Sequence, residues 1–367
     1  MIDFRYHLVS LISVFLALAV GIVLGAGPLR ENLGDQLAGQ VEQLRTEQEQ
    51  LRTEAEELST RHDQLATFIA ELGPDLVDGT LQGRQVAVLT DDSSTRPGIE
   101  RMMSLLAAAG VDSPLRVTLQ PALWSPDGAA QRSDALAEIH RIAPAALTDD
   151  PDGELTDAAQ LSGLIPTLLH GGDELTPELR SQLWDVLVEQ QLVTLDGTVP
   201  PQIDAVVYAA AAPEELAVDS EDEAAATERG QSLLASQTHL LSVLAETGMP
   251  AVVSAATPDN DASASVLRTV RGDREFDGLS TTDRLQEADG PLLSVLALVE
   301  QVRGGSGSYG TTADAEHRLP ALPETEGLEE QAGQQDQGGT QEQDSTEEQG
   351  GTQEQGGAAP SDGGGEG

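Results

Sequence analysis

Leu8–Leu24 reads LVSLISVFLALAVGIVL, seventeen consecutive residues without a charge, and nothing else in the chain limits its fold so sharply. As a helix this run rises about 26 Å, close to the roughly 30 Å hydrocarbon core of a bilayer. Arg5 and His7 flank its N-terminal end, and Arg30, Glu31 and Asp35 follow it. That slight positive bias places the N-terminus in the cytoplasm and the body outside, in a single-pass cell-membrane protein. Two readings fit the segment. One is an uncleaved anchor over residues 1–29. The other is a signal peptide cleaved near Gly25-Ala26-Gly27. The run exceeds the ~7–15 apolar residues of a secretory signal, which favours the anchor. Ser13, Ala17, Gly21 and Gly25 recur every four residues. They make one small-residue face, of the kind that lets two membrane helices approach closely.

A second periodicity follows. Leu37, Leu44, Leu51, Leu58, Leu65 and Leu72 are spaced by seven, which places Val41, Gln48, Ala55, His62 and Ile69 at the other core positions of a heptad. The pattern predicts a coiled coil over residues 30–73, ended by Gly73-Pro74. Glu47 precedes the core position of Gln48, and Arg52 follows that of Leu51. The two meet across a parallel pair, so the expected partner is a second copy in parallel. Gln48 and His62 cost stability in such a seam and help fix its register. For His62 the alternative is a pH or metal switch made of two imidazoles. An antiparallel hairpin within one chain is the weaker rival, because no second heptad run exists. From Leu37 to Leu72 the coil spans about 50 Å.

The formal net charge is −44, all 19 cations are Arg, and most of the negative excess falls in the middle of the chain. Such a surface repels phosphate backbones, so nucleic acid is not an expected partner. There is no Cys, which excludes disulfides and thiolate sites.

Residues 74–312 read as a mostly parallel α/β sandwich domain. Val86–Thr90, Leu115–Leu119, 192–195, 203–208 and Ala251–Ala255 are short strand candidates. Helical stretches lie near 97–109, 133–141, 157–164, 177–188, 228–247 and 290–302. Strands alternating with helices predict a sheet covered on both faces. The first strand runs into Asp91-Asp92-Ser93-Ser94-Thr95 rather than a glycine-rich turn, which argues against a dinucleotide site. Adjacent carboxylates at a strand end can hold Mg²⁺, but no DxD spacing and no Lys accompany them. A turn with an N-cap accounts for them. There is no GxSxG and no HExxH. His140, His170, His239 and His317 are scattered singly. No catalytic residue is assigned, and the chain is expected not to be an enzyme. Residues 313–367 read as a disordered acidic tail, with GGTQEQ at 338–343 and again at 350–355.

The opening Met1-Ile-Asp-Phe-Arg-Tyr-His-Leu-Val-Ser-Leu and the run Phe15–Gly25 resemble the start of the actinobacterial copper transport outer-membrane protein family. Arg84–Asp91 and the closing segment Leu293, Leu298, Glu300-Gln301, Gly304, Gly307, Tyr309 and Gly310 resemble it more loosely. The resemblance covers roughly residues 1–312. It implies copper efflux or homeostasis at the cell envelope, in an outer membrane by the family label. The residues themselves indicate no cofactor, so copper rests on the resemblance. Soft donors suit Cu(I), yet Cys is absent and the only Met residues are Met1, Met102, Met103 and Met249. A β-barrel needs aromatic girdles, and aromatics are 2% of the chain. The alternative function is a dimeric envelope scaffold that recruits division or peptidoglycan-remodelling partners.

Overall fold

The computed structural model describes residues 4–91, 96–148, 150, 153, 155–171, 175–212, 223–257 and 265–323. A single helix, α1 (Phe4–Val77), carries both the apolar run and the leucine heptads. At 1.5 Å per residue its 74 residues extend about 110 Å. It does not stop at Gly73-Pro74 as the dipeptide predicts. Gly73 is buried against the body: a Cβ placed there would lie 3.1 Å from Leu105 and 3.6 Å from Leu292. Pro74 forfeits one backbone bond, to the carbonyl of exposed Ala70. Helix packing thus overrides the breaker. α1 ends one turn later, where Thr80 donates both its N–H and its hydroxyl to the Val77 carbonyl, at 3.0 and 2.6 Å.

The body is a doubly wound sheet. Its strands are β1 (Val86–Thr90), β2 (Leu115–Leu119), β3 (Val193–Asp196), β4 (Ala205–Ala210), β5 (Ala251–Ala255), β6 (Ser280–Thr282) and β7 (Ser308–Tyr309). Among the described residues their order is β3-β2-β1-β4-β5-β6-β7, parallel throughout except where β3 runs antiparallel to β2 at one edge. The helices are α2 (Arg96–Ala108), α3 (Pro121–Trp124), α4 (Ala129–Ile142), α5 (Asp157–His170), α6 (Pro177–Glu189), α7 (Glu223–Glu246), α8 (Val266–Gly272) and α9 (Gly290–Val302).

Every residue of β1 is buried, and alternate side chains enter opposite cores, as the pleat requires. Ala87 and Leu89 join Leu136, Ile139, Leu164, Leu183 and Leu240 beneath α3–α8. Val86 and Val88 join Val77, Ile99, Met102, Leu106, Leu293 and Leu296 beneath α1, α2 and α9. The last turn of α1 is therefore part of a core layer. Strands β1, β2 and β5 match their expected bounds, and β3 and β4 begin one and two residues later than expected. The body runs to Pro323: Gly310 N–H donates to the His317 carbonyl and Ala321 N–H to Glu300. The acidic tail from 324 onward, like Asp92, lies outside the described residues.

Gly73→Leu forces a branched side chain between Leu105 and Leu292. It is expected to lower the unfolding free energy by about 1–3 kcal/mol, a typical cost of overpacking. Gly73→Ala is expected to be nearly neutral, because a helix-propensity gain of about 1 kcal/mol offsets a mild squeeze. Urea midpoints of the full chain in detergent separate the two.

Candidate functional site

In open α/β sheets, ligands bind at the carboxyl ends of the strands where the strand order reverses. Here that point lies between β1 and β4, and a carboxylate fills it. Asp91 follows β1 directly and is 1% exposed. Its carboxylate accepts from the Tyr208 hydroxyl (2.6 Å), the Ala211 N–H (3.0 Å) and the Gln237 side-chain amide (2.7 Å). Gln237 also donates to the Ala211 carbonyl at 2.9 Å, which ties α7 to the end of β4. Burial, reinforced by the neighbouring Asp91 charge, pushes the Tyr208 phenol well above its ordinary value. A carboxylate bonded this way is an internal fastening between β1, β4 and α7.

A second buried carboxylate closes the far side of the sheet. Asp283, just after β6, accepts from the N–H groups of Thr311 and Thr312 and from the Thr312 hydroxyl (2.8 Å). Arg271 of α8 lies 3.8 Å away and also binds Thr281, Asp314 and the Tyr309 carbonyl. Gly310 makes this possible: with φ +137 it adopts a backbone that L-residues avoid, and a Cβ there would lie 2.1 Å from the Asp283 carboxylate. The Tyr309 hydroxyl donates to Glu300 at 2.7 Å. The Gly307-Ser308-Tyr309-Gly310 segment is thus a latch.

A cleft of about 700 Å³ opens between the end of α5 and the start of α6, lined by His170, Thr176, Arg180 and Gln202 among others. Arg180 is committed there to the carbonyls of Pro200 and Pro201. Its guanidinium closes the wall of the cleft and is not presented to a ligand.

The positions singled out in the sequence lie on α1. Phe4–Val23 is long and apolar enough to cross a membrane, and Ser13, Ala17 and Gly21 are exposed along it. The Ser13 hydroxyl donates back to the Val9 carbonyl at 2.8 Å, satisfying it within the helix. Gly25 and Leu37 fall in the stretch 24–39, of which only the helical backbone is described. Leu44, Leu51, Leu58 and Leu65 are 56–66% exposed. Val41, Gln48, Ala55, His62 and Leu72 are exposed as well, and Ile69 is half-buried.

The metal-donor chemistry is distributed as follows. Met102 and Met249 are buried in the two cores. His140 is tied through Nδ1 to the Leu136 carbonyl at 2.8 Å. Burial lowers the His239 pKa, with its ring packed on Gly163. Among the described residues no three His, Cys, Asp or Glu side chains group as a metal site within one chain.

Tyr208, Gln237, Arg271 and Asp283 were not singled out in the sequence. A tyrosine inside an Ala/Val strand was a usable signal, since a buried phenol needs a partner.

A family profile described as "Copper transport outer membrane protein, MctB" matches residues 1–320. Proteins called "Copper transporter MctB" from Mycobacterium tuberculosis (strain ATCC 25618 / H37Rv) and Mycobacterium bovis (strain ATCC BAA-935 / AF2122/97) are each 24% identical over 320 residues. The match covers 85% of this chain and 96% of each relative. Nothing in these descriptions speaks for the envelope-scaffold alternative.

Tyr208→Phe leaves the Asp91 carboxylate one donor short and is expected to cost about 1–3 kcal/mol. Above the free phenol value of about 10, the folded chain keeps a proton that the unfolded chain loses, so stability falls as pH rises. Tyr309, also raised, adds to this slope. Denaturant midpoints measured from pH 8 to 11 are expected to fall less steeply in Tyr208→Phe than in the parent.

Proposed function

Because the chain belongs to the copper transport outer membrane protein family, we propose that it acts in copper efflux or homeostasis at the cell envelope, anchored through α1 and working as a parallel pair. Copper is the cargo in this reading, and the chain has no catalytic step. The observation that carries it is the extent of the family match. Residues 1–320 include the span, the heptad helix and the whole sheet, latch included.

The anchor is helical, so beyond its first turn the backbone polar groups of Phe4–Val23 are satisfied internally, as lipid demands. The described strands lie in one sheet covered by helices on both faces, which is the build of a soluble domain. These features support a place in the cell membrane with the N-terminus cytoplasmic and the body outside, although the family's description names an outer membrane.

Exposed leucines in heptad register support the pair. Each fully covered leucine contributes about 1.5–3 kcal/mol. The small-residue face of the span and the Glu47–Arg52 complementarity point to the same parallel arrangement.

A strain lacking this chain is expected to retain more copper and to stop growing at copper levels its parent survives. Unchanged growth and unchanged copper content would refute the reading. Ala55→Cys places the chain's only thiol at a core position of the seam. Mild oxidation in membranes should then convert most of the protein to a disulfide-linked dimer. The same change at Thr53, on the outer face, should leave it mostly monomeric on a gel.

A further inference from the structure

The seam that the pair would close contains one titratable side chain capable of binding a transition metal. His62 is exposed on α1 between Leu58 and Leu65, 63% and 56% exposed, so whatever covers those leucines covers the imidazole too. In a parallel, in-register pair, a residue at this heptad position meets its own counterpart across the axis. Two imidazoles are then brought face to face in a largely apolar layer. Left alone, they bury ring nitrogens that have no partner, which is costly.

The surroundings leave those nitrogens available. Arg61, the adjacent cation, is turned along its own helix toward Glu57 at 3.3 Å. Ser59 and Ala66, which flank the seam at this level, carry no charge. The Asp63 carboxylate stands on the outer side of the helix, one residue on, and adds negative potential nearby. Histidine nitrogen is a good donor for copper, and two opposed imidazoles supply two nitrogens of the tetragonal nitrogen–oxygen set that Cu(II) prefers, with water completing it.

We propose that His62 and the His62 of a second copy together form a copper site within the coiled coil. This inference rests on the paired-helix reading above and names the residue through which the pair meets its cargo. The site exists only in the pair. It therefore couples metal binding to association: copper tightens the dimer, and dimerisation creates the site.

The test uses the full chain in detergent, titrated with cupric chloride in a buffer free of nitrogen ligands and followed by electron paramagnetic resonance, with sedimentation on the same samples. The expected result is one copper per two chains, with hyperfine structure from two equivalent nitrogens. His62→Leu should abolish that signal while leaving a dimer at least as stable, because leucine fits the seam. Gln48→Leu, two heptads away, should keep the signal. If copper binds equally well to His62→Leu, the site lies elsewhere and the copper reading stands without it. If the parent dimer shows no nitrogen-coupled copper, the site is refuted while the pair survives. If the parent sediments as a monomer, the pair and the site fall together.

Discussion

Gly73 is small, and the seating of α1 on the body depends on a small residue at that point. With no bulky side chain there, α1 settles onto Leu105 and Leu292 and its last turn delivers Val77 into the core shared with α2 and α9. The long helix is therefore continuous with a core layer of the body and has no flexible linker at its entry. Two backbone bonds are lost along α1, at Pro28 and at Pro74, and at Pro74 the contact of Gly73 with Leu105 and Leu292 holds the backbone.

The sheet has the strand order of a nucleotide-binding fold, with a buried carboxylate at its switch point. Asp91 stands where a phosphate-binding turn would be and spends its charge on Tyr208, Gln237 and the backbone of Ala211. Asp283 does the same between β6 and the latch, with Arg271 as counter-ion. In both places a buried anion gathers donors from distant parts of the chain, which costs desolvation and secures a particular tertiary arrangement. The buried carboxylate at the end of β1 agrees with the absence of a glycine turn there.

Much of this was legible before any coordinates. The apolar span, the heptads and the strands Val86–Thr90, Leu115–Leu119 and Ala251–Ala255 are local patterns, and local physics decides them. What failed to show depends on contacts between distant residues. Strand β6 is Ser280-Thr281-Thr282, which looks like a loop. It is a strand because Gln301, Arg271 and Ser294 supply partners for its hydroxyls. Gly73-Pro74 looks like a terminator and is one only in isolation. The fastening at Asp91 needed Gln237, 146 residues away, and spacing in sequence cannot announce such a pair. The heptad repeat, by contrast, is local, and Leu44, Leu51, Leu58 and Leu65 are exposed along one helix.

The latch has a consequence for colloidal behaviour. A sheet of parallel strands ends in unpaired N–H and C=O groups, and a free edge recruits neighbouring chains. Molecules confined to one membrane face meet each other far more often than molecules in bulk. On the β6 side the edge is finished by only two residues of β7, after which Gly310 turns the backbone back over Asp283 and His317 bridges to Tyr309. That rim is too short and too sharply turned to template another strand. On that side of the sheet, pairing with the edge of another copy is thereby discouraged.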